Sequence, residues 1–178
     1  IGFPAVSGAE WEALIRAGLE GADYDRLLWK TVEGLAVRPY YTIEDMAALV
    51  TPIDTAPGQP PFVRGNGEPP RMALPGEEPR AQVDASIFHD QGATAVEELA
   101  FALAAAVEWA GEWAAAPGRS VEAASRELVV RFGVGPCIFL EIAKLRAARA
   151  LWACAAEALG VRAPEARSLA IHAVTARW

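Results

Sequence analysis

Residues 137–159 constrain this chain most, because they form the longest uninterrupted helical signal in the sequence. The stretch follows Pro136, contains neither glycine nor proline, and ends at Gly160, a common helix stop. Apolar residues recur in it at steps of three and four, which predicts one apolar stripe with the charged residues on other faces. The stripe consists of Phe139, Ile142, Leu145, Ala148 and Trp152, and the charged residues are Glu141, Lys144 and Arg149. Such a helix needs a sheet or other helices to cover its stripe.

Other helices and short strands are predicted around this one. Capping-box spacing, which is a hydroxyl residue followed three positions later by an acid, opens helices at 9–20, 42–50 and 95–113. The third of these is expected to face the core with Val96, Leu99, Leu103, Val107 and Ala110. Strands are predicted at 83–88, 128–132 and 168–174. The sequence therefore indicates a helix-rich α/β protein.

Composition and charge exclude several classes of partner. The 178 residues are 53% hydrophobic and carry a formal net charge of −7, which argues against a nucleic-acid or anionic-membrane surface. Neither a membrane span nor a secretory leader is expected. The two cysteines, Cys137 and Cys154, fall on one predicted helix about 25 Å apart, too far for a disulfide, and a reducing cytoplasm fits them best.

Proline content divides the chain into three predicted regions. Residues 1–50 form an arm of short helices and extended chain, and 51–80 form a linker that contains eight of the 13 prolines. Residues 81–178 form the strand-helix domain.

The central helix also carries a resemblance to a known family. Residues 139–152, F-L-E-I-A-K-L-R-A-A-R-A-L-W, are similar to the F-x-E-I-A-K-x-R-A-A-R-x-L-W segment of the methylmalonyl-CoA mutase family, the adenosylcobalamin-dependent acyl-CoA mutases. Residues 11–65 resemble the N-terminal segment of those mutases, notably in P-Y-Y-T at 39–42 and P-F-V-R-G at 61–65. The similarity resumes at 83–93. It implies an arm that wraps a partner subunit, followed by parts of a barrel.

The implied fold is a partial TIM barrel preceded by a helical and extended arm. A closed eight-stranded barrel needs at least about 200 residues, and only three or four strand candidates are present here. Strand edges left open in such a remnant must be paired or covered. We therefore expect the chain to self-associate or to dock on another mutase chain, catalytic or cobalamin-binding.

The two histidines, His89 and His172, are the candidate catalytic residues. Each is expected near the carboxyl end of a strand, where barrel folds place their chemistry, although an ordinary hydrogen-bonded histidine explains either one. Catalytic subunits of the family have Tyr-His at the first position, whereas this chain has Phe88 before His89. In this respect it is similar to the small, non-catalytic subunit of the heterodimeric mutases.

Two basic groups could meet a ligand. The linker arginines Arg64, Arg71 and Arg80 could bind an acyl-CoA phosphate, or could simply be solvated. On the central helix, Lys144, Arg146 and Arg149 could line a barrel mouth with Glu141, or could form salt bridges within the helix and with its neighbours. No group of histidines and cysteines has zinc-ligand spacing, so a metal site is not expected.

Aromatic residues of the arm predict an interface. Six tryptophans exceed what a small, alanine-rich core easily covers, and aromatic side chains are enriched where proteins associate. The interface residues predicted are Trp11, Trp29, Tyr40 and Tyr41. The alternative is that all six tryptophans pack inside.

These observations favour a protein of small-subunit type that is inactive alone and associates with or stabilises a cobalamin-dependent acyl-CoA isomerase. Adenosylcobalamin is implied for the family or the partner, because the cobalamin-binding signature D-x-H-x-x-G is absent here. One alternative is a fragment of an active mutase that performs a carbon-skeleton rearrangement. Another is an acyl-CoA binding module.

Overall fold

The computed structural model of the chain describes residues 4, 6–47, 49, 55–68 and 82–177. The chain divides into two compact units, 1–52 and 53–178.

The first unit is built from short elements with local caps. Helix α1 is Gly8–Gly18, strands β1 and β2 are Trp29–Lys30 and Ala36–Val37, and helix α2 is Ile43–Met46, with a 3₁₀ turn at Tyr24–Leu27. The two strands pair antiparallel. The start of α1 is a capping box, in which the Ser7 N–H donates to Glu10 Oε2 at 2.8 Å and the Glu10 N–H donates to Ser7 Oγ at 3.3 Å. The predicted helix at 9–20 is confirmed, and α2 is shorter than expected.

Hydrophobic side chains of this unit remain largely exposed. Among its described residues only Thr31 is buried. Large apolar side chains that face solvent occur in α1, in β1, in α2 and in the turn between the strands, and they include Leu14, Trp29, Val32, Leu35 and Ile43. The described part of the first unit therefore has no hydrophobic core of its own.

The second unit is built on a three-stranded parallel sheet. Its strands are β3 (Val83–Asp84), β4 (Val129–Val134) and β5 (Ala170–Thr175), in the order β3-β4-β5. Between them run α3 (Ser86–Asp90), α4 (Ala95–Ala114), α5 (Val121–Glu127) and α6 (Ile138–Ala158), with a 3₁₀ turn at Pro164–Arg167 before β5. Within the described residues the sheet is open, with β4 in the centre. It supports the α/β expectation, and no closed barrel is formed by these strands.

The core lies between one face of β4 and the two long helices. Val130 and Phe132 point from β4 into it and are 1% exposed, and Trp152 of α6 is fully buried against the same cluster. Helix α4 contributes a column of small residues at steps of four, Ala102, Ala106 and Ala110, and α4 packs on α6. Small side chains in such a column allow close packing and give both helices a well-defined position on β4.

The predicted strand at 83–88 is wrong after its second residue. The Asp84 side chain accepts hydrogen bonds from the Ser86 N–H (3.1 Å) and from Ser86 Oγ (2.6 Å), which turns the chain into α3. His89 therefore lies on a short helix and not at a strand end. His172 is the third of the six residues of β5 rather than near its end.

The predicted faces of both long helices are also partly wrong. On α6, Phe139 is 81% and Ile142 is 50% exposed, whereas Glu141 and Lys144, predicted outside the stripe, are buried. On α4, Val96 is 57% exposed and Glu98 is fully buried. The helices themselves agree with prediction, so the error in the buried face is one of rotation about the helix axis.

Residues 55–68, the described part of the predicted linker, contain turns and neither helix nor strand. Phe62 and Val63 are nevertheless buried there. The three-region division at 50 and 80 stays a prediction. Across the described residues, no helix has the length and apolar character that crossing a membrane requires.

Candidate functional site

Charged side chains gather at the carboxyl end of β4, where parallel α/β folds place their ligand and catalytic groups. Glu98 comes from α4, and Glu141 and Lys144 come from the first turns of α6. The Lys144 ammonium lies 2.6 Å from Glu98 Oε2 and 2.6 Å from Glu141 Oε2. We call these three residues, together with His89, the buried ion cluster.

The buried ion cluster also forms hydrogen bonds with the backbone at the end of β4. The Gly133 N–H donates to Glu98 Oε1 at 2.9 Å, and Lys144 Nζ donates to the Gly133 carbonyl at 2.8 Å. Both helices are thereby attached to one residue of the strand, Gly133. Because the side chains of Glu98 and Lys144 are fully buried, each charge depends on its partners to offset desolvation.

His89 completes the cluster from α3. Its Nδ1 lies 3.3 Å from Glu98 Oε2, and the residue is 6% exposed. The ring lies over Gly133 so closely that a Cβ at that position would be 2.6 Å from it. Glycine is therefore required at 133, and the imidazole is held in a fixed position with little access to solvent.

His172 belongs to a different row of side chains. In the register of the sheet it lies beside Arg131, which in turn lies beside Asp84. Arg131 Nη1 is 3.4 Å from Asp84 Oδ2. The row occupies the sheet face opposite Val130 and Phe132, because alternate strand residues point to opposite faces.

A polar cleft of about 290 Å³ opens at the carboxyl end of this face. Its charged lining residues occur as two pairs, Asp84 with Arg131 and Asp90 with Arg177. The second pair has a backbone contact too, since the Arg177 N–H donates to Asp90 Oδ1 at 3.2 Å. Paired charges of this kind make the cleft electrically balanced, so it favours no anion strongly.

The two predicted catalytic histidines therefore flank the same strand but are differently placed. His89 packs against Gly133 and Glu98, and His172 lies beside Arg131. Of the predicted acyl-CoA arginines, Arg64 is exposed, and Arg71 and Arg80 lie outside the described residues. On α6, Lys144 pairs with Glu141, which agrees with the alternative that the charged residues of this helix form salt bridges.

Glu98 is the site residue that sequence reasoning missed. Glu98 lies in the same column as Ala102, Ala106 and Ala110, at steps of four residues. Small residues at that spacing indicate the side of a helix that another element approaches, and this pattern could have predicted that Glu98 is buried. A carboxylate in such a column must find a buried cation, and Lys144 at 2.6 Å is that cation.

The predicted interface residues lie in the first unit. Trp11, Trp29 and Tyr41 are 53%, 49% and 58% exposed, and Tyr40 is half-buried with its ring centroid 5.6 Å from that of Trp11. Arg38 pairs with Asp45 and lies 4.7 Å from the centroid of the Tyr41 ring. The pKa of Asp45 is lowered, first by the Thr42 N–H donor at 2.7 Å and then by Arg38.

The tryptophans thus divide between surface and interior. Trp152 is buried and Trp109 and Trp113 are half-buried, whereas Trp11 and Trp29 are exposed, so the alternative that all six pack inside is wrong. Trp178 lies outside the described residues.

The described residues do not fit a corrinoid. A corrinoid would need an accessible axial nitrogen, but His89 is buried against Glu98 and Gly133, and the charged residues that line the polar cleft are paired with one another. Across 4, 6–47, 49, 55–68 and 82–177, no three histidine, cysteine or acidic side chains are grouped to hold a metal ion.

The open parallel sheet with helices between its strands, and the charged groups at its carboxyl end, define a strand-helix protein of the α/β class. Comparison with known proteins then identifies the family. A family model described as methylmalonyl-CoA mutase matches residues 80–178, more than half of the chain, so the chain belongs to the methylmalonyl-CoA mutase family.

Individual relatives are similar over the same half. The chain is 46% identical over 93 residues to the methylmalonyl-CoA mutase small subunit of Streptomyces virginiae, covering 52% of this chain and 15% of that protein. It is 39% identical over 100 residues to the large subunit of Propionibacterium freudenreichii subsp. shermanii, covering 54% and 13%. For the Escherichia coli (strain K12) mutase the values are 34% over 89 residues, covering 50% and 12%. The chain thus spans about one-seventh of the length of these relatives.

Proposed function

We propose that this chain is a small-subunit-type member of the methylmalonyl-CoA mutase family, which is inactive alone and supports a cobalamin-dependent acyl-CoA isomerase by associating with it. The observation that carries the proposal is the open sheet. Within residues 82–177, β3 and β5 each pair with β4 on one side only. An unpaired parallel strand edge is normally covered by another element, and a second mutase chain would supply one.

The chemistry at the carboxyl end supports inactivity in isolation. A general acid or base must reach the substrate proton within hydrogen-bond distance, and His89 is buried beneath its neighbours. The charged groups of Glu98 and Lys144 bond to each other and to the backbone of Gly133. Phe88 supplies no hydroxyl where catalytic family members have tyrosine.

The first unit supports association. Its described residues expose Trp11, Trp29 and Tyr41 together with many aliphatic side chains, and burying such surface on a partner releases hydration free energy. The two cysteines are free thiols, Cys154 exposed, which agrees with the reducing cytoplasm as the site of action.

A second candidate function is a segment of an active mutase. The observation that favours it is the buried ion cluster itself, because it bonds both long helices to the carboxyl end of β4, and a catalytic site needs supporting contacts of this kind. In that case adenosylcobalamin and the acyl-CoA channel would be held by residues beyond this chain. The acyl-CoA binding module remains the weakest candidate, since Arg64 is the one linker arginine among the described residues and it is exposed.

A binding experiment tests the leading proposal. The purified chain is mixed at micromolar concentration with the mutase large subunit encoded in the same genome, and sedimentation velocity is measured for each protein and for the mixture. We expect one heavier species, and slower thermal loss of isomerase activity in the mixture. Two independently sedimenting species with unchanged inactivation would overturn the proposal. A mass measurement of the native protein separates the second candidate, which requires a polypeptide longer than 178 residues.

A further inference from the structure

One face of α6 combines exposed apolar side chains with two arginines. Ile138, Phe139, Ile142, Arg146 and Arg149 recur at three, four and seven residues and so share one side of the helix. We call these five residues the arginine face. Ile138 is 64%, Phe139 81% and Ile142 50% exposed, which makes the first turns of α6 the most apolar exposed part of the helix.

Arg149 is the unusual member of this face. It is half-buried, its Nη1 donates only a long hydrogen bond of 3.4 Å to the Leu145 carbonyl, and its Nε has no partner among the described residues. Burial lowers the pKa of the Arg149 guanidinium, and the charge of Arg146 lowers it further. The half-buried Arg167 differs, because Glu157 lies 2.9 Å from its Nη1.

Partial burial of a cation that has no carboxylate nearby costs desolvation free energy, so we expect such a cation to pair with a carboxylate of another molecule. We propose that the arginine face is a docking surface for a protein segment that presents a carboxylate within apolar residues, with the carboxylate pairing with Arg149. This inference rests on the proposed function, which supplies the partner as another mutase chain.

Charge decides between the possible occupants. Nucleic acid and anionic lipid surfaces are disfavoured by the net charge of −7. A second copy that used the same face symmetrically is disfavoured too: Arg149 lies near the middle of α6, so antiparallel pairing would bring two Arg149 cations together. A carboxylate on a different protein surface satisfies the arginine face without that repulsion.

The isolated chain gives the first test, through the substitution Arg149→Met, which keeps the unbranched stem and removes the charge. If Arg149 awaits an external partner, we expect the melting temperature to rise by about 2–4 °C. The matched control is Arg162→Met at an exposed arginine, which should leave the melting temperature unchanged. A fall in the melting temperature for Arg149→Met would show that the arginine stabilises its own chain, and would overturn the inference.

Binding gives the second test, with the mutase large subunit from the same genome as the probe. We expect Arg149→Met and Ile142→Gln each to weaken binding, the former by at least about 30-fold. Leu151→Gln is the control for Ile142→Gln, because Leu151 is 45% exposed and lies nine residues on, which is the opposite side of the helix. Equal binding by all variants and wild type would overturn this inference alone. Absence of binding by the wild-type chain would instead overturn the proposed function, and the inferred partner with it.

Discussion

Each of the two units contains a helix that opens with a capping box, but only the helix of the second unit packs into a core. Helices α1 and α4 both open with a capping box, Ser7 with Glu10 on α1 and Thr94 with Glu97 on α4, and the hydrogen-bond distances match within 0.1 Å. Helix α4 is 20 residues long and packs its alanine column into a core. Helix α1 is 11 residues long and buries none of them.

The difference teaches that caps define where a helix begins but do not make it stable. A helix of 11 residues is marginal in water without tertiary packing. In the second unit the core and the buried ion cluster supply that packing. In the first unit the apolar surface is exposed and could supply such packing only against another chain, which is the physical reason to expect a partner for this unit. The following predictions test this contrast, in order of decreasing effect.

The largest effect is expected for Lys144→Met. The substitution leaves Glu98 fully buried without its cation, and removal of one partner of a buried pair costs about 3–5 kcal/mol. The free energy of unfolding is measured by urea titration with circular dichroism. The control is Arg126→Met, whose pairs with Glu122 and Glu165 are at the surface, so that it costs less than about 1 kcal/mol. Equal losses for the two variants would refute the role given to the cluster.

A smaller loss is expected for Gly133→Ala. The added Cβ would lie 2.6 Å from the His89 ring, and overpacking of this kind costs about 1–3 kcal/mol. Gly111→Ala in the interior of α4 is the matched control, because a Cβ there meets nothing within 4 Å. It should stabilise the protein by about 0.5–1 kcal/mol through helix propensity. If both alanines acted alike in urea titration, the close packing of His89 on Gly133 would be wrong.

The two capping boxes give the most direct comparison of the units. Thr94→Ala should lower the free energy of global unfolding by about 1 kcal/mol, because α4 is part of the core. Ser7→Ala should leave global unfolding unchanged and only increase amide exchange within α1, since α1 buries none of its residues. Both are measured by urea titration and hydrogen exchange. A similar global loss for Ser7→Ala would mean that the first unit unfolds together with the second.

The smallest effect is the pH dependence of the α4 cap. Hydrogen bonds from the Thr94 backbone, and then from its side chain, hold the pKa of Glu97 below its usual value of 4.5. A carboxylate whose folded pKa is lowered stabilises the protein above its unfolded pKa and loses that contribution as pH falls through the folded pKa. We therefore expect Glu97→Gln to be less stable than wild type at pH 7, with the difference vanishing below the folded pKa. A difference independent of pH would contradict the assignment.

The sequence predicted the long elements but not the orientation of their faces. Helix α4 follows from its capping box, and α6 follows from its glycine stop and its uninterrupted helix formers. The resemblance at residues 139–152 led to the correct family. Their rotation could not be predicted, because alanine is common on every side and periodicity then assigns the buried face to whichever large apolar residues are present. The structure buries Glu98 and Lys144 instead, and a buried ion pair is visible only when both partners are known to meet.

Local hydrogen bonding explains the error at His89. Val83, Ile87 and Phe88 are β-formers, so the strand was predicted to continue through Phe88. The Asp84 carboxylate bonds to Ser86 and ends the strand after two residues, which outweighs the propensity of the residues that follow. The consequence was functional as well as structural, since a histidine at a strand end would be open to substrate and His89 is buried.

The central claim is that this chain supports a mutase without performing the reaction itself. The most direct measurement is an assay of acyl-CoA rearrangement by the pure 178-residue chain, supplied with adenosylcobalamin and methylmalonyl-CoA and analysed by chromatography of the acyl-CoA products. The account predicts no product above the blank without protein, and product formation when the large subunit alone is assayed in the same way. Turnover by the isolated chain would contradict the account.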